Sequence, residues 1–434
     1  MMSSVNVALP AIQKYFSIDA VLLSWVATSY LLAAGVSLVP FGRLADIYGR
    51  KKMLIIGFTI LSISSLFSAL ATSSYMLIIF RAFQGVGSGM IYGTGMAILV
   101  SVFPPNERGK VLGISVSAVY IGLSTGPFIG GILTQHFTWR SLFLLNFLLC
   151  IAIVILILLK LKGEWADAKE EKFDIEGAFL YGATLIAIIY GFSNLPSYDS
   201  IWIILSGCIG LIIFIMWETR IKHPVFEVYL FKNNKTFALS NLAALIHYSS
   251  TFGVTFLLSL YLQYIKAYNP QSAGTILMSQ PIMMALFSPF AGKLSDKIEP
   301  RIIASIGMGI TSLGILFLTT ISESTGLIYI IACLMLLGFG FALFSSPNMN
   351  AIMSSVEKKF LGLASGSAGT MRVLGQIFSM GVATLVLAIF MGRKPITKEI
   401  FPSLLYSIHI ILFIFVAFCF MGIFASLSRG KVRK

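Results

Sequence analysis

Residues 42–52 read GRLADIYGRKK, and residues 292–297 repeat their first part as GKLSDK. Each stretch follows a long apolar run and places an aspartate four residues after a glycine, with basic residues around it. Glycine lets two backbones approach closely where helices meet at a membrane surface. Two such loops after corresponding apolar runs predict a chain built from two related bundles of helices.

The composition around these loops is that of a polytopic membrane protein. Of the 434 residues, 57% are hydrophobic and only 11% are charged, against roughly 25% charged in ordinary soluble domains. The charges fall into short clusters between apolar runs. The net charge of +14 does not form the basic stripe of a nucleic-acid-binding protein. The four cysteines have no metal-ligand spacing, so we expect no metal and no cofactor.

Thirteen apolar runs are long enough to cross a membrane, and a shorter one opens the chain. They lie near residues 21–41, 53–72, 75–102, 111–133, 141–159, 175–195, 201–218, 236–265, 271–291, 301–321, 326–348, 360–391 and 402–427. With the connections placed alternately on two sides, 23 Lys and Arg residues fall on one side and 6 on the other. The positive-inside rule makes the first side, with both termini, cytoplasmic. Both termini on one side require an even number of spans, so we predict fourteen helices.

The first of these helices is short. The opening stretch, MMSSVNVALPAIQKYF, reaches a charge at Lys14, whereas a span needs about 20 apolar residues. We therefore predict an N-terminally truncated first helix that lacks one or two turns.

Four stretches carry a resemblance to a known family. Residues 42–52 match its loop motif, and residues 77–87 (LIIFRAFQGVG) match its helix 4 motif. Residues 122–131 (GLSTGPFIGG) match its helix 5 motif, which is associated with antiporters, and residues 5–10 (VNVALP) match a helix 1 motif. The chain resembles the major facilitator superfamily and, within it, the 14-helix drug:H⁺ antiporters of the EmrB/QacA type.

The resemblance implies an all-α architecture of two six-helix bundles that rock about a central cavity. The first bundle would occupy residues 1–160. Two extra transmembrane helices with their connectors would occupy residues 161–235. The second bundle and a short basic tail would occupy residues 236–434.

The loop motif is predicted to act as a gate. Asp46 and Arg50 are four residues apart and can pair on a helix, and Asp46 can also accept hydrogen bonds from a neighbouring helix end. In the family this loop is a latch that breaks in the inward-open state. The predicted gate consists of Gly42, Asp46, Gly49, Arg50 and Asp296. The alternative is that its basic residues only fix the topology.

Titratable and polar groups inside the spans are the candidates for proton coupling or for the cavity. An arginine at the centre of a span costs about 2.5–3.5 kcal/mol on translocon scales and therefore marks a function. In the family the arginine that matches Arg81 is implicated in proton coupling, and the alternative is a structural arginine bonded to helix carbonyls. Although His247 can carry protons, we favour a packing role for it. The candidates are Arg81, Gln84, Arg372, His247 and Asn6.

The helix 5 motif contains Gly122, Gly126, Pro127, Gly130 and Gly131. Proline removes one hydrogen bond from a helix and bends it, and small residues at every fourth position make a smooth stripe for close packing. The resemblance implies antiporter-type motion of this helix. Ordinary close packing is the alternative.

No carboxylate lies deep in a predicted span, which is unexpected for a proton-coupled exporter of cations. The family branch usually has an aspartate five residues before the asparagine that matches Asn6, and that position is Met1. Either translation starts upstream and supplies the aspartate, which we favour, or the chain is as written and its coupling is impaired or different. The in-frame codons before Met1 test the first explanation.

The resemblance implies a proton-coupled secondary transporter of the plasma membrane that exports amphipathic drugs or toxic small molecules by alternating access. Its partners would be lipid, protons and a small amphipathic substrate, without nucleic acid or a protein partner. Since the spans hold two arginines and no acid, an anionic or neutral substrate is as well suited as any cation. Two alternatives are a dedicated exporter or flippase of an endogenous metabolite or lipid, and a non-transporting membrane scaffold or sensor. No nucleophile–base pair or phosphate loop predicts an enzyme.

Overall fold

The computed structural model describes residues 2–18, 20–104, 106–193, 197–222, 224–226, 228–268, 270–391 and 401–430, and within these ranges it contains helices and no β-strand. The helices are α1 (Met2–Phe16), α2 (Ala20–Tyr48), α3 (Arg50–Ala69), α4 (Ser74–Val102), α5 (Arg108–His136), α6 (Trp139–Lys160), α7 (Ile175–Ser193), α8 (Tyr198–Glu218), α9 (Val228–Asn233), α10 (Lys235–Leu260), α11 (Pro270–Leu277), α12 (Ser279–Ser295), α13 (Pro300–Leu318), α14 (Leu327–Ser354), α15 (Leu361–Met391) and α16 (Phe401–Ser428).

The helices have the lengths and composition of membrane spans. In the described part of the chain, 12 helices are long and apolar enough to cross a bilayer. They coincide with the predicted apolar runs, so the prediction of an all-α polytopic membrane protein is confirmed. The helix α7 has a shorter apolar stretch, Ile175–Gly191, and α1 has 15 residues. The total of fourteen spans therefore stays a prediction.

A row of glycines packs α4 tightly between α2 and α3. A Cβ atom on Gly87 would lie 2.7 Å from the carbonyl oxygen of Gly57 in α3, and one on Gly85 would overlap the carbonyl oxygen of Tyr30 in α2. Lipid weakens the hydrophobic drive between helices, so close contacts between small residues hold such helices together. This packing buries the face of α4 that carries Arg81 and Gln84.

The first six helices meet the later ones most closely at the end of the bundle where α2 joins α3 and α12 approaches α13. We call this end, which carries residues 42–52 and 292–301, the basic end. A Cβ atom on Gly42 would lie 2.5 Å from the carbonyl oxygen of Gly362, and one on Gly292 would overlap that of Gly109. The pairs α2–α15 and α5–α12 thus touch backbone to backbone, and these contacts close the basic end.

The helices α7 and α8 form a pair that lies against the seam between these two groups of helices. The hydroxyl of Tyr181 in α7 lies 3.4 Å from the carbonyl oxygen of Gly35 in α2 and 2.9 Å from Oγ1 of Thr370 in α15. Most of the apolar side chains of α8 are exposed. The outer face of the pair is therefore available to lipid.

Candidate functional site

Asp46, in the last turn of α2, connects the first group of helices to the start of α15. Its side chain is fully buried. One carboxylate oxygen accepts hydrogen bonds from Nε and Nη2 of Arg50 at 2.9 and 2.6 Å. The backbone N–H groups of Gly362 and Leu363 donate to the two oxygens at 2.9 and 3.1 Å. Because unpaired N–H groups give a helix N-terminus a partial positive charge, the carboxylate is stabilised from both sides.

Arg50 shares its guanidinium among four segments of the chain. Besides Asp46, it donates to Oγ of Ser101 at 2.8 Å, to the carboxylate of Asp167 at 2.8 Å and to the carbonyl oxygen of Lys358 at 2.7 Å. Its side chain is fully buried. A buried arginine is tolerated when such partners satisfy its charge and its donors. Arg50 therefore joins α3, α4 and the segment that precedes α15 at the basic end.

The connector, residues 161–174, wraps around this gate. Its backbone bonds to the gate at two points, Arg50 N–H to Trp165 O at 2.9 Å and Ala168 N–H to Asp46 O at 3.0 Å. Glu164 accepts from the first N–H groups of α3, and Glu171 pairs with Arg43. The spacing of its acidic residues is too irregular to have revealed these contacts.

Asp296 makes the reciprocal connection from the second group of helices. It lies just after α12 and accepts hydrogen bonds from the backbone N–H groups of Gly109 and Lys110, at 2.8 and 2.9 Å. These two residues lie in the first turn of α5. Two aspartates, Asp46 and Asp296, thus each hold the N-terminus of a helix from the opposite group, and we call these contacts the two latches.

The remaining glycine of the predicted gate turns the chain. Gly49 separates α2 from α3 and has φ of 116°, a conformation that L-residues with side chains rarely adopt. A Cβ atom there would lie 2.6 Å from the carboxyl carbon of Glu164. Gly49 therefore allows the connector to lie directly over the turn.

Arg81 and Gln84 form a buried polar network inside the first group of helices. Arg81 donates from Nε to the carbonyl oxygen of Val26 at 2.9 Å and from Nη1 to Oε1 of Gln84 at 2.7 Å. Its guanidinium lies 4.4 Å from the ring centre of Tyr30. The amide of Gln84 donates to the hydroxyls of Ser65 and Ser68. The bond to the carbonyl oxygen of Val26 is what we expect of an arginine with a purely structural role. The remaining nitrogen of Arg81, Nη2, has no hydrogen-bond partner in the described part of the chain.

Arg372 lies near the middle of the bundle among three tyrosines. It is ten residues beyond Gly362, which places it about 15 Å from the basic end and hence near half the depth of a bilayer. Its guanidinium lies 4.4 Å from the ring centre of Tyr92 in α4. The hydroxyls of Tyr92, Tyr120 in α5 and Tyr248 in α10 are all close enough to act on its charge. We call these three residues the tyrosine cage. Sequence reasoning missed it, because tyrosines in separate spans show no common pattern.

His247 is separate from the charged groups. It is fully buried, with its ring centre 4.0 Å from that of Phe344 and 4.7 Å from that of Phe341. Neither ring nitrogen has a hydrogen-bond partner among the described residues. His247 therefore has the surroundings of a packing residue.

The predicted antiporter motif lies on α5, and its members have different surroundings. Gly130 packs on the backbone of Ser4 in α1, since a Cβ atom there would lie 2.9 Å from the carbonyl oxygen of Ser4. Gly122 has open space beside it, and Gly126 is buried. Gly131 is half-buried, and the side chains of Pro127 and Asn6 lie outside what the structure describes.

Arg429 is another buried arginine at the basic end, and the sequence indicated it only as part of a basic tail. It follows α16 and donates to Oγ of Ser240, Oδ1 of Asn348 and the carbonyl oxygen of Pro300, at 3.1, 2.5 and 3.1 Å. Burial lowers the pKa of Arg429 to about 9, so it stays protonated at neutral pH. It fastens the end of α16 to α10, α13 and α14.

Comparisons with known proteins agree with this architecture. The model of the Major Facilitator Superfamily matches residues 1–380 and 240–431. The chain is 31% identical over 381 residues to a riboflavin transporter of Clostridioides difficile, covering 88% of this chain and 83% of that protein. It is 29% identical over 394 residues to the multidrug resistance protein Stp of Mycobacterium tuberculosis, covering 89% and 73%. It is also 31% identical over 396 residues to the multidrug transporter MdtP of Bacillus subtilis, covering 88% and 71%.

A solved structure supports the same fold. The human organic anion transporter MFSD10 aligns with a TM-score of 0.66 over 98% of this chain and 89% of that one. Its sequence identity is 13%, so this likeness concerns the fold alone. From the family match and the relatives at about 30% identity, we conclude that the chain belongs to the Major Facilitator Superfamily, whose members are transporters and not enzymes.

Proposed function

We propose that this protein is a proton-coupled exporter of amphipathic drugs or toxic small molecules, a member of the 14-helix antiporter branch. Two six-helix bundles, residues 1–160 and 236–434, would alternate access to the cavity between them. The helices within residues 161–235 would form the extra pair. The basic end and both termini would lie in the cytoplasm, as the distribution of Lys and Arg favours.

The observation that carries this proposal is the pair of latches. Each of the two aspartates accepts two backbone N–H groups from a helix start on the other bundle. These bonds hold the bundles together at one end only, so breaking them opens that end. Alternating access requires a contact between the two bundles that breaks and re-forms.

Proton handling is assigned to Arg81 and Gln84. They form a network that reaches Ser65 and Ser68, and Asn146 donates to Ser65 at 2.6 Å. Nη2 of Arg81 is buried and has no hydrogen-bond partner among the described residues. A buried polar site with unsatisfied groups favours an ordered water. Water bound there would connect proton movement to the position of α4.

The test uses the full chain in proteoliposomes with an acidic interior. Addition of ethidium or norfloxacin outside should drive uptake of the compound and raise the interior pH, reported by trapped pyranine. Arg81→Lys keeps the charge but changes the geometry, so it should reduce proton release per molecule transported. Arg140→Met, an arginine outside the network, is the matched control. Uptake that is independent of the pH gradient would contradict the coupling.

A dedicated transporter of one metabolite is the second candidate. The similarity to the riboflavin transporter of Clostridioides difficile, 31% identity over 88% of this chain, favours it. A panel of drug-susceptibility assays in an efflux-deficient host separates the two functions. Broad resistance supports the multidrug exporter. Resistance to none, together with riboflavin transport in the same proteoliposomes, would support the dedicated transporter.

A further inference from the structure

Arg372 is a cation near the middle of the bundle, and no carboxylate among the described residues forms an ion pair with it. In the described part of the chain neither Arg372 nor Arg81 forms an ion pair, whereas Arg43 and Arg50 do so at the basic end. An arginine at this depth is costly unless it meets an anion or water in a polar cavity. The charge of Arg372 is therefore available to an anion that enters the space between the bundles.

The two interior arginines differ in their access to such an anion. Arg81 is fully buried, and two of its nitrogens are already bonded to Val26 and Gln84. Arg372 is only half-buried. Because it lies between α4, α5 and α10, helices of both bundles, its exposed part faces the interior of the molecule and not the lipid. Of the two arginines, Arg372 is the one that a solute can touch.

The tyrosine cage adds both hydrogen bonds and flat apolar surface around Arg372. Tyrosine hydroxyls can donate to an anion, and those of Tyr92, Tyr120 and Tyr248 are close enough to the guanidinium to act on its charge. The ring of Phe341 lies edge-on to Tyr120 and Tyr248, with ring centres 5.9 and 5.5 Å apart. Aromatic faces in this arrangement favour contact with another aromatic ring.

We infer that Arg372 and the tyrosine cage form a substrate subsite for an organic anion, with a sulfonate or carboxylate on an aromatic body. The anionic group would bind the guanidinium and the hydroxyls, and the ring would lie against the half-buried Tyr248. This inference rests on the proposed export function and narrows its substrates from amphiphiles in general to aromatic anions. A guanidinium recognises such groups through paired N–H donors.

The test compares three probes that share one ring and differ in charge. They are 2-naphthalenesulfonate, 2-naphthalenesulfonamide and (2-naphthylmethyl)trimethylammonium, titrated calorimetrically into the full chain in lipid nanodiscs, with empty nanodiscs as the blank. The sulfonate should bind at least about tenfold more tightly than the other two. Arg372→Met should weaken sulfonate binding about 10–100-fold, the usual loss for a hydrogen bond to a charged group. Sulfonamide binding should change less than about threefold.

Three further variants separate recognition from folding. Arg372→Lys keeps the charge without the planar fork and should give an intermediate loss of sulfonate affinity. If Arg372→Met is not monodisperse, Arg372→Lys takes its place in the binding comparison. Tyr92→Phe keeps the ring and removes one hydroxyl, so it should weaken the sulfonate alone. Arg140→Met removes another arginine that stacks on aromatic rings, 4.4 Å from those of Tyr15 and Trp139, and should change nothing.

The inference is overturned if sulfonate and sulfonamide bind equally, if the cation binds best, or if Arg372→Met weakens all three probes alike. These measurements need no pH gradient, so they are independent of export. If no compound drives proton release from proteoliposomes while charge selectivity in nanodiscs holds, the export proposal fails and the subsite stands. If proton release is normal and selectivity is absent, only the subsite fails.

Discussion

The two latches at the basic end make the same contact in opposite directions but in different surroundings. Asp46 and Asp296 each accept two backbone N–H groups at the start of a helix from the other bundle. Asp46 is fully buried and paired with Arg50, whereas Asp296 is half-buried. The position that corresponds to Arg50, four residues after Asp296, is Pro300, which carries no charge.

This difference shows which contacts the two latches share and which contact only the Asp46 latch has. The contact between a carboxylate and a helix N-terminus is shared, since it needs only one aspartate and a close approach of two backbones. Full burial removes water from the carboxylate of Asp46, and Arg50 compensates for that loss. The four predictions below alter these contacts in order of decreasing effect.

The largest effect is expected for Asp46→Asn. It leaves the buried guanidinium of Arg50 with Asp167 as its charged partner and weakens the bonds to α15. We expect the closed state to lose about 3 kcal/mol, the lower end of the range for breaking a buried ion pair. The population of the closed state is measured by double electron–electron resonance, as the distance between nitroxide labels on Lys52→Cys and Glu357→Cys. The native cysteines, Cys150, Cys208, Cys333 and Cys419, are replaced for this experiment. A distance distribution like that of the parent protein would contradict the prediction.

The second largest effect is expected for alanine substitutions where the helix backbones of the two bundles touch. Gly362→Ala would place a methyl group against the Gly42 carbonyl, and Gly292→Ala would do so against the Gly109 carbonyl. Each should destabilise the closed state by about 2 kcal/mol, as overpacking does, and by similar amounts because both meet backbone. The same spin-label pair reports it. Gly95→Ala is the control, because nothing lies within 4 Å of its added Cβ atom.

A smaller effect is expected for Asp296→Asn. The amide oxygen still accepts one hydrogen bond, and water reaches a half-buried side chain. We therefore expect a loss of about 1.5 kcal/mol from the closed state, the lower end of the range for a hydrogen bond to a charged group. Comparison of the spin-label distances with those of Asp46→Asn checks the order. Equal opening in both variants would show that Arg50 adds nothing to the first latch.

The smallest effect is expected for Asp167→Asn in the connector. Its side chain is 37% exposed, so its pair with Arg50 should contribute at most about 1 kcal/mol. In the Asp46→Asn background the loss should grow by about 0.5–1 kcal/mol, because Arg50 then depends on Asp167. A double-mutant cycle on the spin-label populations measures this coupling. Glu170→Gln, an exposed change in the same connector, should have no effect, and strict additivity of the pair would contradict the prediction.

The helices of this protein were largely predictable from the sequence, because the thickness of the bilayer sets the length of the apolar segments that cross it. Apolar runs, glycine pairs and the uneven distribution of Lys and Arg are local properties of the sequence. They determine directly which segments enter the bilayer and in which orientation. The predicted runs at 53–72 and 75–102 thus became α3 and α4. The run at 271–291 became two helices, α11 and α12, that meet at Met278. Pro281 explains the break, because it has no N–H to donate to the carbonyl of Leu277, four residues earlier.

The contacts of the candidate site were less predictable, because they join distant parts of the chain. The i, i+4 spacing indicated the pair of Asp46 and Arg50, but not that Arg50 also bonds to Asp167 and Lys358. Arg372 stood out as a charge inside a span, whereas its tyrosine neighbours did not. A tyrosine in an apolar helix has the same local pattern whether it faces lipid, a neighbouring helix or a cavity.

By itself the sequence determined that the chain crosses a membrane many times, that one end of the bundle is basic, and that two related loops stand after corresponding spans. These properties follow from hydropathy and charge, which act residue by residue. Only the tertiary structure decided which helix start each aspartate holds, how the connector covers the first latch, and which rings surround Arg372. Those choices depend on the packing of helices far apart in sequence, and packing distance is a property that no single segment encodes.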